Sequence, residues 1–162
     1  MLTFALIAGL ALAGSGCSAS PPPSASPGQT SDPIGTPIAQ WRQDAIGVDL
    51  SDALTEAAEA DYPQLLRTRE EWDAWLASLP APLLDAGLDA EPDFSTEVAA
   101  VGMYADCETT AMFTDAGGGV LEFTVSSDDQ VACYWSPRVM LVVAIDVAET
   151  SAGSTAELTL AS

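Results

Sequence analysis

Asp93-Phe94-Ser95-Thr96-Glu97-Val98-Ala99-Ala100-Val101-Gly102-Met103-Tyr104 is the stretch that decides the fold. Pro92 biases Glu91 toward extended geometry, Asp93 can bond the backbone two residues on, and the apolar run that follows is too short for a helix. Apolar residues at consecutive rather than alternate positions are buried on both faces, which places this strand in the middle of a sheet. Residues 139–145, Val-Met-Leu-Val-Val-Ala-Ile, repeat the pattern and supply a second central strand.

Between the two runs, residues 109–114 read as a strand, 115–119 as a glycine-rich hairpin turn and 120–126 as its partner. Leu121, Phe123 and Val125 share one face of that partner, and Glu122, Thr124 and Ser126 the other. Residues 131–135 are expected to form the next strand, with Tyr134 and Trp135 on opposite faces and one of them in the core; residues 155–160 alternate as a closing edge strand.

On the N-terminal side, residues 41–48 read as a first edge strand and 64–67 as a short one, residues 51–60 fit either a short helix or an acidic loop, and 81–92 read as a loop. Thr68-Arg69-Glu70-Glu71 ahead of Trp72, Trp75, Leu76 and Leu79 is a capping box opening an amphipathic helix that Pro80 ends. At that spacing the two tryptophans are core residues, not a sugar platform. The expected fold is mainly antiparallel β, a small sandwich or partly closed barrel, with one packed amphipathic helix and a disordered N-terminal tether.

Charge and composition exclude several functions. With 24 acidic residues against 4 basic ones, the chain carries a formal net charge of −20 and repels phosphate backbones, so nucleic acid is not expected as a partner. Neither His nor Lys occurs, so Ser-His-Asp and Cys-His arrangements, Ser-Lys dyads, P-loops and histidine-held metals cannot be written on this chain. No enzyme activity, metal or cofactor is expected. Two alternatives stay open. The acids Asp85, Asp89, Glu91, Asp93 and Glu97 fall close together without EF-hand order and suggest a calcium or small-ligand module; a positioned carboxylate pair would suggest a cell-wall hydrolase.

Residues 2–13 are almost wholly apolar, too short to cross a ~30 Å hydrocarbon layer, and are followed by small residues. Residues 1–16 therefore read as an export signal. Residues 17–40, rich in Pro, Ser, Ala and Gly, read as a tether that cannot form a core, and residues 41–162 as a single folded domain. Gly14-Ser15-Gly16-Cys17-Ser18 resembles a bacterial lipobox. That resemblance implies cleavage before Cys17, a diacylglyceryl thioether on its sulfur, acylation of the new amino group, and a domain anchored on the extracytoplasmic face of the membrane. Cys107 and Cys133 then remain as a pair, and their bridge would close 25 intervening residues, worth about 3–4 kcal/mol in the chain-entropy account.

Residues 65–146, with the Thr-Arg-Glu-Glu-Trp helix, Asp93-Phe94-Ser95 leading into a Val-rich strand, hairpins and a final Val-Val-Ala-Ile-Asp strand, resemble the PrcB-type C-terminal domain. Members of that family are envelope lipoproteins, and its namesake is an accessory, non-catalytic subunit of a surface protease complex. The resemblance implies a fold and an address, and it transfers no functional residue. The expected function is protein binding, with another envelope protein as partner. The open edge at residues 155–160 is one expected surface. Tyr134 with Trp135 and Arg138 form the other, because these residue types are favoured at interface hot spots.

Overall fold

The computed structural model describes residues 32–45, 48–106, 109–127 and 134–161. β3 (Glu97–Ala105) and β6 (Arg138–Asp146) pair antiparallel along their whole length, from Glu97 opposite Asp146 to Ala105 opposite Arg138. β1 (Thr36–Arg42) flanks β6, and β2 (Gln64–Leu66) flanks β3, giving a sheet of order β1-β6-β3-β2. Both continuous apolar runs thus occupy the centre, as their composition requires.

Alternation along the central strands divides their side chains between two cores. Ala99, Val101, Met140, Val142 and Ala144 face one side, where α1 (Ser51–Ala57), α2 (Arg69–Ser78) and α3 (Ala81–Ala86) contribute Leu54, Trp72, Trp75 and Leu83. Val98, Ala100, Leu141, Val143 and Ile145 face the other, against Phe113, Leu121 and Leu158. These belong to a second sheet in which β4 (Thr109–Gly117) and β5 (Val120–Ser127) form an antiparallel hairpin and β7 (Thr159–Leu160) runs parallel to β5. The result is three layers: helices, four-stranded sheet, three-stranded sheet.

The helix layer is fixed by the capping box. The Thr68 hydroxyl accepts from the Glu71 amide at 3.2 Å, while the Glu71 carboxylate accepts from the Thr68 amide at 3.2 Å. This starts α2 in the phase that buries Trp72 and Trp75, whose ring centroids lie 5.1 Å apart, with Trp41 of β1 6.4 Å beyond Trp75. Small Ala99 and Val101 on the facing strand leave volume for the indoles. In the other core the close approach is at Gly102, where an added Cβ would sit 2.3 Å from the Phe123 ring.

Several sequence expectations need correction. Three helices pack on the sheet in place of one, because residues 51–57 bury Ala53, Leu54 and Ala57, and residues 81–86, expected as loop, form a helix that buries Leu83. The first strand begins at Thr36, inside the stretch read as tether, and ends at Arg42 rather than Val48. Of the two expected alternatives the fold is the sandwich: among the described residues no ladder joins the two sheets into a barrel. The closing strand expected at 155–160 reduces to two residues, since Thr155–Glu157 is a 3-10 turn and Leu158 is fully buried. Of the strand expected at 131–135, residues 131–133 lie outside the described residues; Tyr134 and Trp135 belong to no strand and neither is buried.

Candidate functional site: the aromatic end of the sandwich

Because β3 and β6 are antiparallel and in full register, the last residue of one meets the first of the other at a single end of the sandwich. The ladder continues one step past Ala105 and Arg138, where the Asp106 amide donates to the Pro137 carbonyl at 2.8 Å. Immediately before Pro137 the chain presents Tyr134, fully exposed, and Trp135, 59 % exposed. Burying a tryptophan normally stabilises a fold, so one held in water at the rim of the sheet is an informative placement.

Below these rings lies a polar scaffold. The Arg42 guanidinium donates to both Asp44 oxygens, at 3.1 and 3.3 Å, and to Asp106, tying the end of β1 to the end of β3. The Gln43 side chain accepts from the Arg138 amide at 3.0 Å and donates to the Ser51 hydroxyl at 2.9 Å. Arg138 itself donates to the Thr55 hydroxyl at 2.9 Å. Trp135 and Arg138, singled out in the sequence with Tyr134, therefore sit at one end, with different roles. Trp135 faces solvent, whereas the Arg138 guanidinium braces β6 against α1.

Electrostatics reinforce the scaffold. Burial pushes the Asp106 carboxyl up, but the Arg42 guanidinium and the Thr109 amide and hydroxyl outweigh it and hold the group below its ordinary value. Asp44 first, and Asp106 second, hold Arg42 more firmly protonated. A carboxyl lowered in the folded state stabilises the fold above its unfolded value, and that stabilisation disappears as pH falls through the folded one. Asp106→Asn is accordingly expected to flatten the acid limb of stability against pH, with denaturant melts taken from neutral pH to below the ordinary aspartate range as the measurement. An acid limb unchanged from the parent protein would contradict the assignment.

Sequence reasoning missed Arg42, Gln43 and Asp106. The available clue was the scarcity of cations. Each of the four arginines is engaged: Arg42 as above, Arg67 through two nitrogens on the Leu158 carbonyl at 3.1 and 2.7 Å, Arg69 with Glu91 and over the Phe94 ring, and Arg138 with Thr55. With 24 acidic residues against these four cations, the chain keeps its formal net charge of −20.

The other expected surface is a short edge: β7 ends the β4-β5-β7 order and pairs over only two residues. The Leu158 carbonyl is taken by Arg67, and the Thr159 and Ala161 amides donate inward to the carbonyls of Gly119, just before β5, and of Leu121 within it. In the acidic stretch from Asp85 to Glu97, Glu91 pairs with Arg69, Asp93 accepts from the Ser95 amide and hydroxyl, and Glu97 accepts from the Asp93 amide. Among the described residues no group of three or more His, Cys, Asp or Glu is placed to hold a metal ion. Cys17, Cys107 and Cys133 lie outside the described residues.

The chain enters the fold at the opposite end. Thr36 lies beside Ala144, the Gly35 amide donates to Glu149 at 2.8 Å, and the Ile34 amide donates to the Phe113 carbonyl at 2.9 Å. Along the nine residues of β6, at roughly 3.4 Å per step, the two ends stand about 27 Å apart. Comparison with protein-family models, with curated proteins and with solved structures finds no match.

Proposed function

We propose that this chain is a membrane-tethered, extracytoplasmic binding module, without chemistry or cofactor of its own, that serves as an accessory partner to another envelope protein. The observation that carries the reading is the opposition of its two ends: the segment leading back to Cys17 joins at residues 32–36, beside the end of β6, and the exposed Tyr134 and Trp135 precede the start of that strand, whose nine residues span about 27 Å. A lipid on Cys17 and an extended tether would turn the aromatic end outward from the membrane, toward proteins rather than lipid. The anionic surface favours the same orientation, since it is repelled by anionic headgroups. The accessory-subunit role follows the PrcB-type resemblance, and the absence of His and Lys from the sequence supports a role without catalysis.

A Cys107 to Cys133 bridge belongs to the same proposal. Asp106, next to Cys107, donates its amide to the carbonyl of Pro137, four residues after Cys133. Intact-mass measurement of the mature exported protein tests both modifications, with the lipid on Cys17 and the loss of two thiol protons as the expected result. For the binding end, Trp135→Ala is expected to reduce capture of the envelope partner at least tenfold, as for an interface hot spot, while leaving the melting temperature within the small range of surface substitutions. Full capture by the variant would remove this end as the binding surface.

A further inference from the structure

β1 and β6 are neighbours in one sheet and run antiparallel, so their first residues lie at opposite ends of the domain. Thr36, the first residue of β1, is opposite Ala144, near the end of β6. Arg138, the first residue of β6, accepts at its carbonyl from the Gln43 amide at 2.9 Å, just past the end of β1. A load on the segment before Thr36 would enter β1 there, and a load on Trp135 would enter β6 at Arg138. Opposed forces on these two points slide the strands along their axes instead of peeling them apart.

We propose that the β1–β6 ladder is a shear clasp, through which tension between the membrane anchor and a partner at the aromatic end passes without opening the domain. The proposal rests on the reading of that end as the binding surface. In this geometry the six register pairs from Thr36 with Ala144 to Arg42 with Val139 share the force at once. Were both forces applied at one end, the same bonds would break in succession, each under the full force.

Three local features oppose sliding. The register shifts between Pro37 and Ala39, making Ile38 the extra residue of a β-bulge; its side chain is buried and its carbonyl accepts from the Asp89 amide at 2.8 Å. A slip of one residue would turn Ala39 and Trp41 out of the helix-side core. At the tether end, Gly35 takes a φ of +77°, and a Cβ there would lie 2.6 Å from the Ala144 carbonyl oxygen, so the segment is seated directly on β6. At the far end, Arg42 is tied to Asp106 and Gln43 to Ser51.

Single-molecule pulling on the full chain tests the clasp. One version carries azide-bearing residues in place of Asp32 and Tyr134, the other in place of Asp32 and Ala148, all three exposed. The first pair loads β1 against β6 in shear; the second pulls from one end. Several-fold higher rupture force in the first geometry at the same loading rate is the expected result. Equal forces, with capture through Trp135 intact, would overturn the clasp alone. A directional difference together with full capture by Trp135→Ala would instead overturn the reading of the binding end on which the clasp's role depends.

Discussion

Trp72→Ala is expected to lower the unfolding free energy by about 3–5 kcal/mol, the usual cost of truncating a buried tryptophan. Trp72 is wholly buried, 5.1 Å from Trp75 and 6.2 Å from Phe94 between ring centroids, and it packs α2 onto the sheet. Its removal leaves a cavity that the neighbouring rings, themselves locked by contacts, fill only in part. Trp72→Phe isolates the cause. The indole nitrogen is buried without a hydrogen-bond partner, so phenylalanine keeps most of the apolar contact and removes an unsatisfied donor. Urea melts of both variants are the measurement, with the phenylalanine variant expected well above the alanine one. A Trp72→Ala loss below about 1 kcal/mol, in the range of surface changes, would mean that α2 is not held by this contact.

Gly102→Val is the second large effect, and two influences on it differ in sign. Strand propensity favours valine over glycine by up to about 1 kcal/mol. Sterics oppose it, because the new Cβ would lie 2.3 Å from Phe123, whose ring is wedged 4.8 Å from Phe113 and 6.4 Å from Tyr104 and has little room to withdraw. Overpacking typically costs about 1–3 kcal/mol and decides the sign. A double-mutant cycle with Phe123→Ala checks the mechanism: the two substitutions together should cost less than the sum of each alone. Simple additivity would place the strain somewhere other than this contact.

Much of the fold was legible because its signals are local. The two continuous apolar runs name the central strands, and the capping box names α2. The turn acids Asp93 and Glu97 support the start of β3 by bonding the Ser95 and Asp93 amides. Elements that depend on tertiary partners were not legible. Pro80 reads as a helix end and 81–92 as a loop, yet proline suits the first turn of a helix, and α3 forms because Leu83 finds a buried site. Thr36 and Pro37 share the composition of the tether, but an edge strand tolerates proline and the bulge at Ile38 absorbs the irregularity.

Residues 155–160 alternate as a strand should. There Glu157 accepts from the Gly153 amide at 2.8 Å and curls the segment into a turn, leaving two residues to pair. The candidate site divides in the same way. Residue types pointed to Trp135 and Arg138, but that one faces water while the other braces α1 depends on β6 starting beside Thr55, which no periodicity encodes.

Site-specific photo-crosslinking in intact cells tests the central claim most directly. A photoreactive residue in place of Tyr134 or Trp135 should yield a discrete adduct with an envelope protein, and the same residue in place of Ala148, at the end where the chain enters the fold, should not. An adduct from position 148 with none from 134 or 135 would contradict the assignment of the binding end.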